Sequence, residues 1–454
     1  MPFCALLRGE HYGRPKWVWS FQPRGLVNKV TKRAVNDEKL LCLRHYTELS
    51  IPVQSVAQQS ISATGGSGTG RRLRWKWVGS EMLKILTVIG TRPEAIKMAP
   101  VIRELSKHRD QVRSLVCVTG QHRQMLDQVL NLFDIDPDYD LDIMQPDQAL
   151  SQLTANLLTG LDPIVKETRS DWVLAQGDTT TVLVVALVAF YHKVNFGHVE
   201  AGLRTGNRYQ PFPEEVNRHI ADSLADLLFA PTERSRQALL REGCSGEKIL
   251  VTGNTVIDAL MMMVAHPYDW SVGPLSVLPK ERRLVLITAH RRESFGAPFR
   301  EICLAIRELA LQFNAHGVHF VYPVHLNPNV RQPVREILSG ISNVSLIEPL
   351  DYLSMVHLMK RSTLILTDSG GIQEEAPSLS VPVLVMRDAT ERPEGVEAGV
   401  VKLVGTKRVN IVSEATRLLQ DPVAHAAMAT GANPYGDGKA AIRIVAALLD
   451  KGAV

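Results

Sequence analysis

From residue 82 onward, short apolar runs alternate with longer stretches whose apolar positions return at helical spacing, with polar turns between them. Residues 83–89 read as a buried strand, Gly90 and Thr91 as a turn, and Pro93 as the opening of a helix to about Leu105. Residues 114–118 and 172–175 read as the next strands. The apolar run 181–191 reads as a buried helix, NFGHV as the strand after it, and residues 227–230 and 249–252 as two more. After about residue 257 the pattern restarts, with strands expected at 284–288, 320–324, 345–347, 364–366 and 383–385. Strand, tight loop and helix in repeated order predict parallel, doubly wound sheets. Two such series, with polar residues at the strands' C-terminal ends, predict an α/β protein of two Rossmann-like domains facing one cleft. The expected division is an extension over 1–81, domains over 82–256 and 257–439, and a last helix, within 440–454, crossing back to the first domain.

One stretch does not serve packing. HVEAGLRTGNRYQPFPEEVNRH, residues 198–219, holds Glu200, Glu214, Glu215, Arg204 and Arg208 and few core-forming residues in its middle. Glu200 falls just past a strand's C-terminal end, where open α/β sheets bind ligands. Pro213 suits the first turn of the next helix, with Glu214 and Glu215 at its start. Val216, Ile220, Leu224 and Leu227 would give that helix an apolar face.

Other strand ends are loaded as well. Arg92, Glu94 and Lys97 follow the first strand, and QGDTTT puts Asp178 after the third, where a cap on the next helix is the competing role. In TDSGGIQEEAP, Gly370 and Gly371 let backbone N–H groups approach an anion at a helix start, beside Asp368 and Ser369. Capping would explain one of Glu374 and Glu375, and a ribose diol the other. With Arg291, Arg292, Arg387 and Arg392 in the same half, a nucleoside diphosphate fits better than free phosphate. The loop after the first strand holds one glycine, so the GxGxxG dinucleotide fingerprint is absent.

Length and composition narrow the classes. At 454 residues the chain exceeds one ordinary core. Its net charge of +4 is uneven: thirteen Lys and Arg against five Asp and Glu precede Met82, leaving residues 82–454 at −4. That balance gives no basic face for nucleic acid. The five cysteines form no CxxC pair and no zinc spacing, which fits a reducing compartment. The longest apolar run is about half of the roughly 20 residues a membrane helix needs. FCALL near the N-terminus is too short for a secretory apolar core, so a cytoplasmic protein is expected. Residues 1–81 show weak periodicity and a Gly/Ser/Thr tract; GGSGTGRR within it lacks the lysine and the preceding strand of a phosphate loop. Met82, directly before the first strand, is the expected biological start.

GTRPEAIKMAP, TGQHRQMLDQVL, QGDTTT, HVEAGLRTG, PEEVNR, GNTVIDAL, AHRRESFG, YPVHLNP, TDSGGIQEEAPSL, VPVLVMRDATERPEG and NPYGDGKAA together resemble the non-hydrolysing UDP-N-acetylglucosamine 2-epimerases. The resemblance runs from Met82 to the C-terminus. It implies a glycosyltransferase-B-like fold, a cytoplasmic homodimer, no cofactor and no metal. The implied reaction interconverts UDP-GlcNAc and UDP-ManNAc for cell-envelope polysaccharides, by elimination of UDP to 2-acetamidoglucal and re-addition. Matched motif by motif, the catalytic groups fall on Asp178, Glu200, Glu214 and His290. Substrate contacts fall on Arg92, Lys97, Ser369, Gly370, Gly371, Glu375 and Arg392. Gln121, Gln124 and Gln148 match polar positions where bacterial members bind a second UDP-GlcNAc as activator. Gln176 stands where many members carry His, Asp147 stands where some carry a basic residue, and residues 1–81 have no counterpart. The rival activities are a hydrolysing epimerase and a retaining glycosyltransferase of the same fold.

Overall fold

The computed structural model describes residues 82–120, 123–143 and 148–452. Residues 1–81, Gln121 and Asp147 lie outside the described residues, and Gln124 is described in its backbone alone.

The first sheet comprises β1 (Leu83–Ile89), β2 (Val112–Val118), β3 (Tyr139–Asp140), β4 (Trp172–Gln176), β5 (Asn195–Val199), β6 (Leu227–Ala230) and β7 (Ile249–Val251). Its order is β3-β2-β1-β4-β5-β6-β7, every pairing parallel. Helices α1 (Arg92–Leu105), α2 (Arg123–Leu132), α3 (Leu150–Thr168), α4 (Thr180–His192), α5 (Glu214–Leu224), α6 (Glu233–Arg241) and α7 (Thr255–Ala265) belong to this half. The second sheet comprises β8 (Arg283–Thr288), β9 (Val318–Pro323), β10 (Val344–Ile347), β11 (Ser362–Thr367), β12 (Val383–Val385) and β13 (Val401–Leu403). It is parallel throughout, in order β10-β9-β8-β11-β12-β13. Its helices are α8 (Ala297–Phe313), α9 (Pro328–Leu338), α10 (Tyr352–Arg361), α11 (Gly370–Glu375), α12 (Pro393–Glu397), α13 (Arg408–Gln420) and α14 (Pro422–Ala429).

Helices on both faces bury the central strands on both sides, so these strands read as continuous Val, Ile and Leu runs rather than alternating ones. Strand order reverses between β1 and β4 in one sheet and between β8 and β11 in the other. Those two reversals leave crevices at the strands' C-terminal ends, where such folds hold ligands.

The closing helix α15 (Ala440–Gly452) packs on α1 and α7, and its Ile444, Val445 and Leu448 join the core that holds Met98 and Leu260. Asp258 of α7 accepts from the Ala440 and Ala441 amides at 3.2 and 2.9 Å, satisfying two N–H groups at the start of that helix. Among the described residues no helix is long and apolar enough to cross a membrane.

The helix expected after Pro213 forms, but of its expected apolar face only Leu224 packs against the core, partly buried beside Ala221. Leu227 already belongs to β6, Ile220 is exposed, and the buried side chains of α5 are Glu215, Asn217, Arg218, Ala221 and Asp222. Charge is buried there because each of those groups has a partner in the site.

Candidate active site

At the first reversal, the loops after β1 and β4 are tied together by Glu94. Its carboxylate accepts from the Gly90 amide at 2.6 Å, the Thr91 hydroxyl at 3.0 Å and the hydroxyl of Thr179. Burial pushes this carboxyl up to about 7, against those hydrogen bonds. Gly90 has no room for a side chain: a Cβ would run into the Thr181 hydroxyl. Thr179, not Asp178, caps α4, accepting from the Val182 amide, which leaves the Asp178 carboxylate for other contacts. Arg218 of α5 pairs with Asp178 Oδ2 at 2.5 Å, and Asn217 donates to the Asp178 carbonyl at 2.9 Å. Behind the loop, fully buried His198 donates from Nε2 to the Gly177 carbonyl at 2.7 Å and from Nδ1 to Asp222 at 2.6 Å. Burial would lower the pKa of His198, but Asp222 outweighs it and raises it.

Glu200 directly follows β5 in the left-handed backbone region, at φ 67°, which directs its side chain into the same crevice edge. Lys97 donates to both carboxylate oxygens, at 2.8 and 2.6 Å, Asn254 to one at 3.2 Å, and Gln176 to the other. Burial alone would raise the Glu200 carboxyl, but Lys97, with Arg392 and Asn254, outweighs it and holds it below the usual range. Glu214 opens α5 with its Oε2 buried and without a hydrogen-bond partner. Arg92 is exposed at the start of α1. Half-buried Gln148 lies just before α3.

At the second reversal, Asp368 joins the ends of β8 and β11. Its Oδ2 accepts from the His290 and Arg291 amides at 2.6 and 2.7 Å, and its Oδ1 lies 3.5 Å from His290 Nδ1. The His290 ring stacks on His325, centroids 5.4 Å apart. Burial lowers the pKa of His290; Asp368 opposes this, and His325 and Arg291 add to it. On the turn beyond Asp368, a Cβ on Gly370 would sit 2.7 Å from Arg392 Nη1, so only glycine lets this guanidinium lie across the turn. Glu374 holds Arg392 at Nε, 2.5 Å, and Glu375 accepts from the Tyr352 hydroxyl at 2.7 Å. Neither glutamate caps α11, contrary to the capping expected for one of them. Burial pushes Glu375 up to about 7, with Tyr352 opposing and Glu374 adding.

The two edges meet at Asn254, whose amide nitrogen lies 3.2 Å from both Glu200 and Glu374. Asp178, Glu200 and Glu214 therefore belong to the first sheet's edge, and His290 with Ser369–Gly371 to the edge across from it. The sequence named Lys97 and Arg392 as ligand contacts but not the partners that hold them. It gave no role to Asn254, Arg218, Asn217 or Tyr352. The signal available for Asn254 was its place directly after a strand end and Gly253, in the motif GNTVIDAL.

Two Rossmann-like lobes with polar strand ends meeting across a crevice define a glycosyltransferase-B-like architecture. Comparison with known proteins narrows the class. The sequence profile of UDP-N-acetylglucosamine 2-epimerase matches residues 103–449. The UDP-N-acetylglucosamine 2-epimerase of Escherichia coli strain K12 is 55% identical over 372 residues, covering 81% of this chain and 98% of that protein. A crystal structure of the Neisseria meningitidis UDP-GlcNAc 2-epimerase bound to UDP-GlcNAc superposes with a TM-score of 0.74 at 50% identity, covering 81% of this chain and all of that one. The Methanocaldococcus jannaschii enzyme in complex with UDP-GlcNAc and UDP does so at 0.66 and 33%, covering 81% and 99%. The chain belongs to the UDP-N-acetylglucosamine 2-epimerase family.

Proposed function

We propose that the protein interconverts UDP-N-acetylglucosamine and UDP-N-acetylmannosamine without net hydrolysis, supplying cell-envelope polysaccharide synthesis. The observation that carries this is the pairing of two unlike edges: carboxylates on one, a cation-backed glycine turn on the other, joined through Asn254. The UDP-GlcNAc bound by the Neisseria relative supports the substrate class.

The C2 hydrogen of the sugar is not next to a carbonyl, so a base alone removes it poorly. The C1–O bond must loosen first, which puts negative charge on UDP and positive charge on the sugar. Ser369, Gly370 and Gly371, with Arg392 and Arg92, take the diphosphate, and His290 donates to it as charge develops. Glu375 takes the ribose diol. A carboxylate then removes the C2 proton, the C–H electrons form the C1–C2 double bond, and UDP departs with the C1–O pair. In the product direction UDP re-adds at C1 and a proton returns to the other face of C2. Glu200 and Glu214 serve the two faces, with Asp178 in support. The bare Oε2 of Glu214 has a lone pair free for a proton, whereas Glu200 is held ionised by Lys97.

Proton NMR of UDP-GlcNAc alone with the protein in deuterated water tests this. ManNAc signals and deuterium at C2 are expected, without accumulation of UDP. Free ManNAc with UDP would make it a hydrolysing epimerase, and unchanged substrate would leave a transferase awaiting an acceptor. Glu200→Gln, Glu214→Gln and His290→Ala should each lower turnover about 100-fold or more while UDP still binds.

We also propose a homodimer, and activation by a second UDP-GlcNAc held by Gln121, Gln124 and Gln148. A rate that rises sigmoidally with UDP-GlcNAc supports the activator, and a hyperbolic rate opposes it.

A further inference from the structure

Asn254 sits where the two lobes share a line of alternating charge. In order, the groups are Lys97, Glu200, the Asn254 amide, Glu374 and Arg392, and the last lies across Gly370. All but Lys97 and Arg392 are nearly or fully buried, and those two cations are themselves largely enclosed. The amide cannot be turned round. Its Oδ1 accepts from the Val256 amide at 3.1 Å as the cap of α7, and its Nδ2 faces two carboxylates. The reverse orientation would set oxygen against both carboxylates and NH₂ against an N–H donor. One nitrogen at 3.2 Å from each carboxylate is therefore shared between the proton-transfer edge and the leaving-group edge.

Building on the epimerase reading, we infer that Asn254 is a positioning residue that couples occupancy of the diphosphate turn to the state of Glu200. A diphosphate on Gly370 and Gly371 draws the Arg392 guanidinium toward itself and weakens its hold on Glu374. Glu374 then pulls the Asn254 amide nitrogen toward itself, which lengthens the contact of the other N–H to Glu200. Glu200 is then held less tightly but still in place, so it becomes the stronger base while its leaving group is held. With the amide removed altogether the carboxylate is held by Lys97 and Gln176 alone and loses its aim at C2. The groups facing Glu200 in this scheme are Lys97 from α1, Gln176 from the end of β4, Asn254 before α7, and Arg392 with Glu374 from the second lobe.

Asn254→Ser separates this role from folding, because serine caps a helix nearly as well as asparagine but cannot bridge the carboxylates. The expected result is a fall in kcat of about 30-fold, the size of a lost hydrogen bond to a charged group, with KM for UDP-GlcNAc and Kd for UDP within about 3-fold of wild type. Asn254→Asp also keeps the cap but adds a third carboxylate, and should be slower still at neutral pH. Glu374→Gln combined with Asn254→Ser should be no slower than the worse single variant, since each breaks the same link. A wild-type kcat in Asn254→Ser, a loss confined to UDP affinity, or strictly multiplicative losses in the double variant would each overturn the inference. A wild-type protein that leaves UDP-GlcNAc unchanged would overturn the epimerase reading itself. An active wild type with an equally active Asn254→Ser variant would overturn this inference alone.

Discussion

Glu94 shows how little a residue's type says about its state. As the third residue of α1 it stands where a helix-start charge is ordinarily solvated, yet it is buried and accepts from two loops. Its folded pKa of about 7 lies above the ordinary 4.5, so the folded chain holds its proton through that interval while the unfolded chain releases it. The stability from this group is complete below the lower value and is lost as pH rises through the upper one, by roughly 3 kcal/mol at most. Glu94→Gln should therefore flatten the fall in melting temperature between pH 5 and pH 8 relative to wild type. Parallel curves for the two proteins would show that Glu94 ionises as usual. The other residue-scale surprises have the same origin. Asp178 and Thr179 are both capping residue types; Thr179 takes the cap of α4, and the Asp178 carboxylate pairs with Arg218 instead. Motif matching could name Lys97 and Glu200 separately, but their contact spans 103 positions of sequence and depends on two strand ends meeting.

Elements were legible where their pattern was long. The strands β1, β4, β5 and β8 fall within a residue or two of the expected spans, because buried parallel strands are unbroken apolar runs between turn residues. The two-residue β3 is too short to show a period and went unpredicted, as did β13. Helix α5 misled for a physical reason: most of its inward face is polar groups that partner others in the site, so Ile220 is left exposed and only Ala221 and Leu224 reach the core. Its Asp222, with Arg204 at 2.7 Å, holds His198, and His198 holds the carbonyl before Asp178. His198→Asn leaves a buried carboxylate short of one cation and should cost about 3 kcal/mol or more in denaturant unfolding. The same variant should lower kcat more than it raises KM, since the Asp178 loop loses a tether rather than a substrate contact. A KM effect alone would place His198 in substrate binding instead.

At the scale of the molecule, two sheets were legible from the restart of the pattern near residue 257, but their junction was not, because it joins groups far apart in sequence: α7 packs on α10 and α11, and Asn254 reaches Glu374. The proposed homodimer belongs to this scale too. The end of α4 exposes Phe190 and Tyr191, at 61% and 64%, and the neighbouring α5 exposes Ile220 at 36%. The rings of Phe190 and Tyr191 lie 6.2 Å apart, beside the helix whose inward face carries the contacts to Asp178. Large apolar side chains exposed on neighbouring helices are more typical of an interface than of free surface. A self-complementary patch of this kind would also brace α5 from outside, where most of its own inward contacts are polar. Tyr191→Glu with Ile220→Glu should then shift the protein from dimer to monomer in sedimentation equilibrium. Because neither residue faces the crevice, UDP binding by the monomer should survive, while turnover falls as α5 loosens its hold on Asp178. A double variant that sediments as wild type would remove this face from consideration, and a fully active monomer would show that α5 needs no bracing.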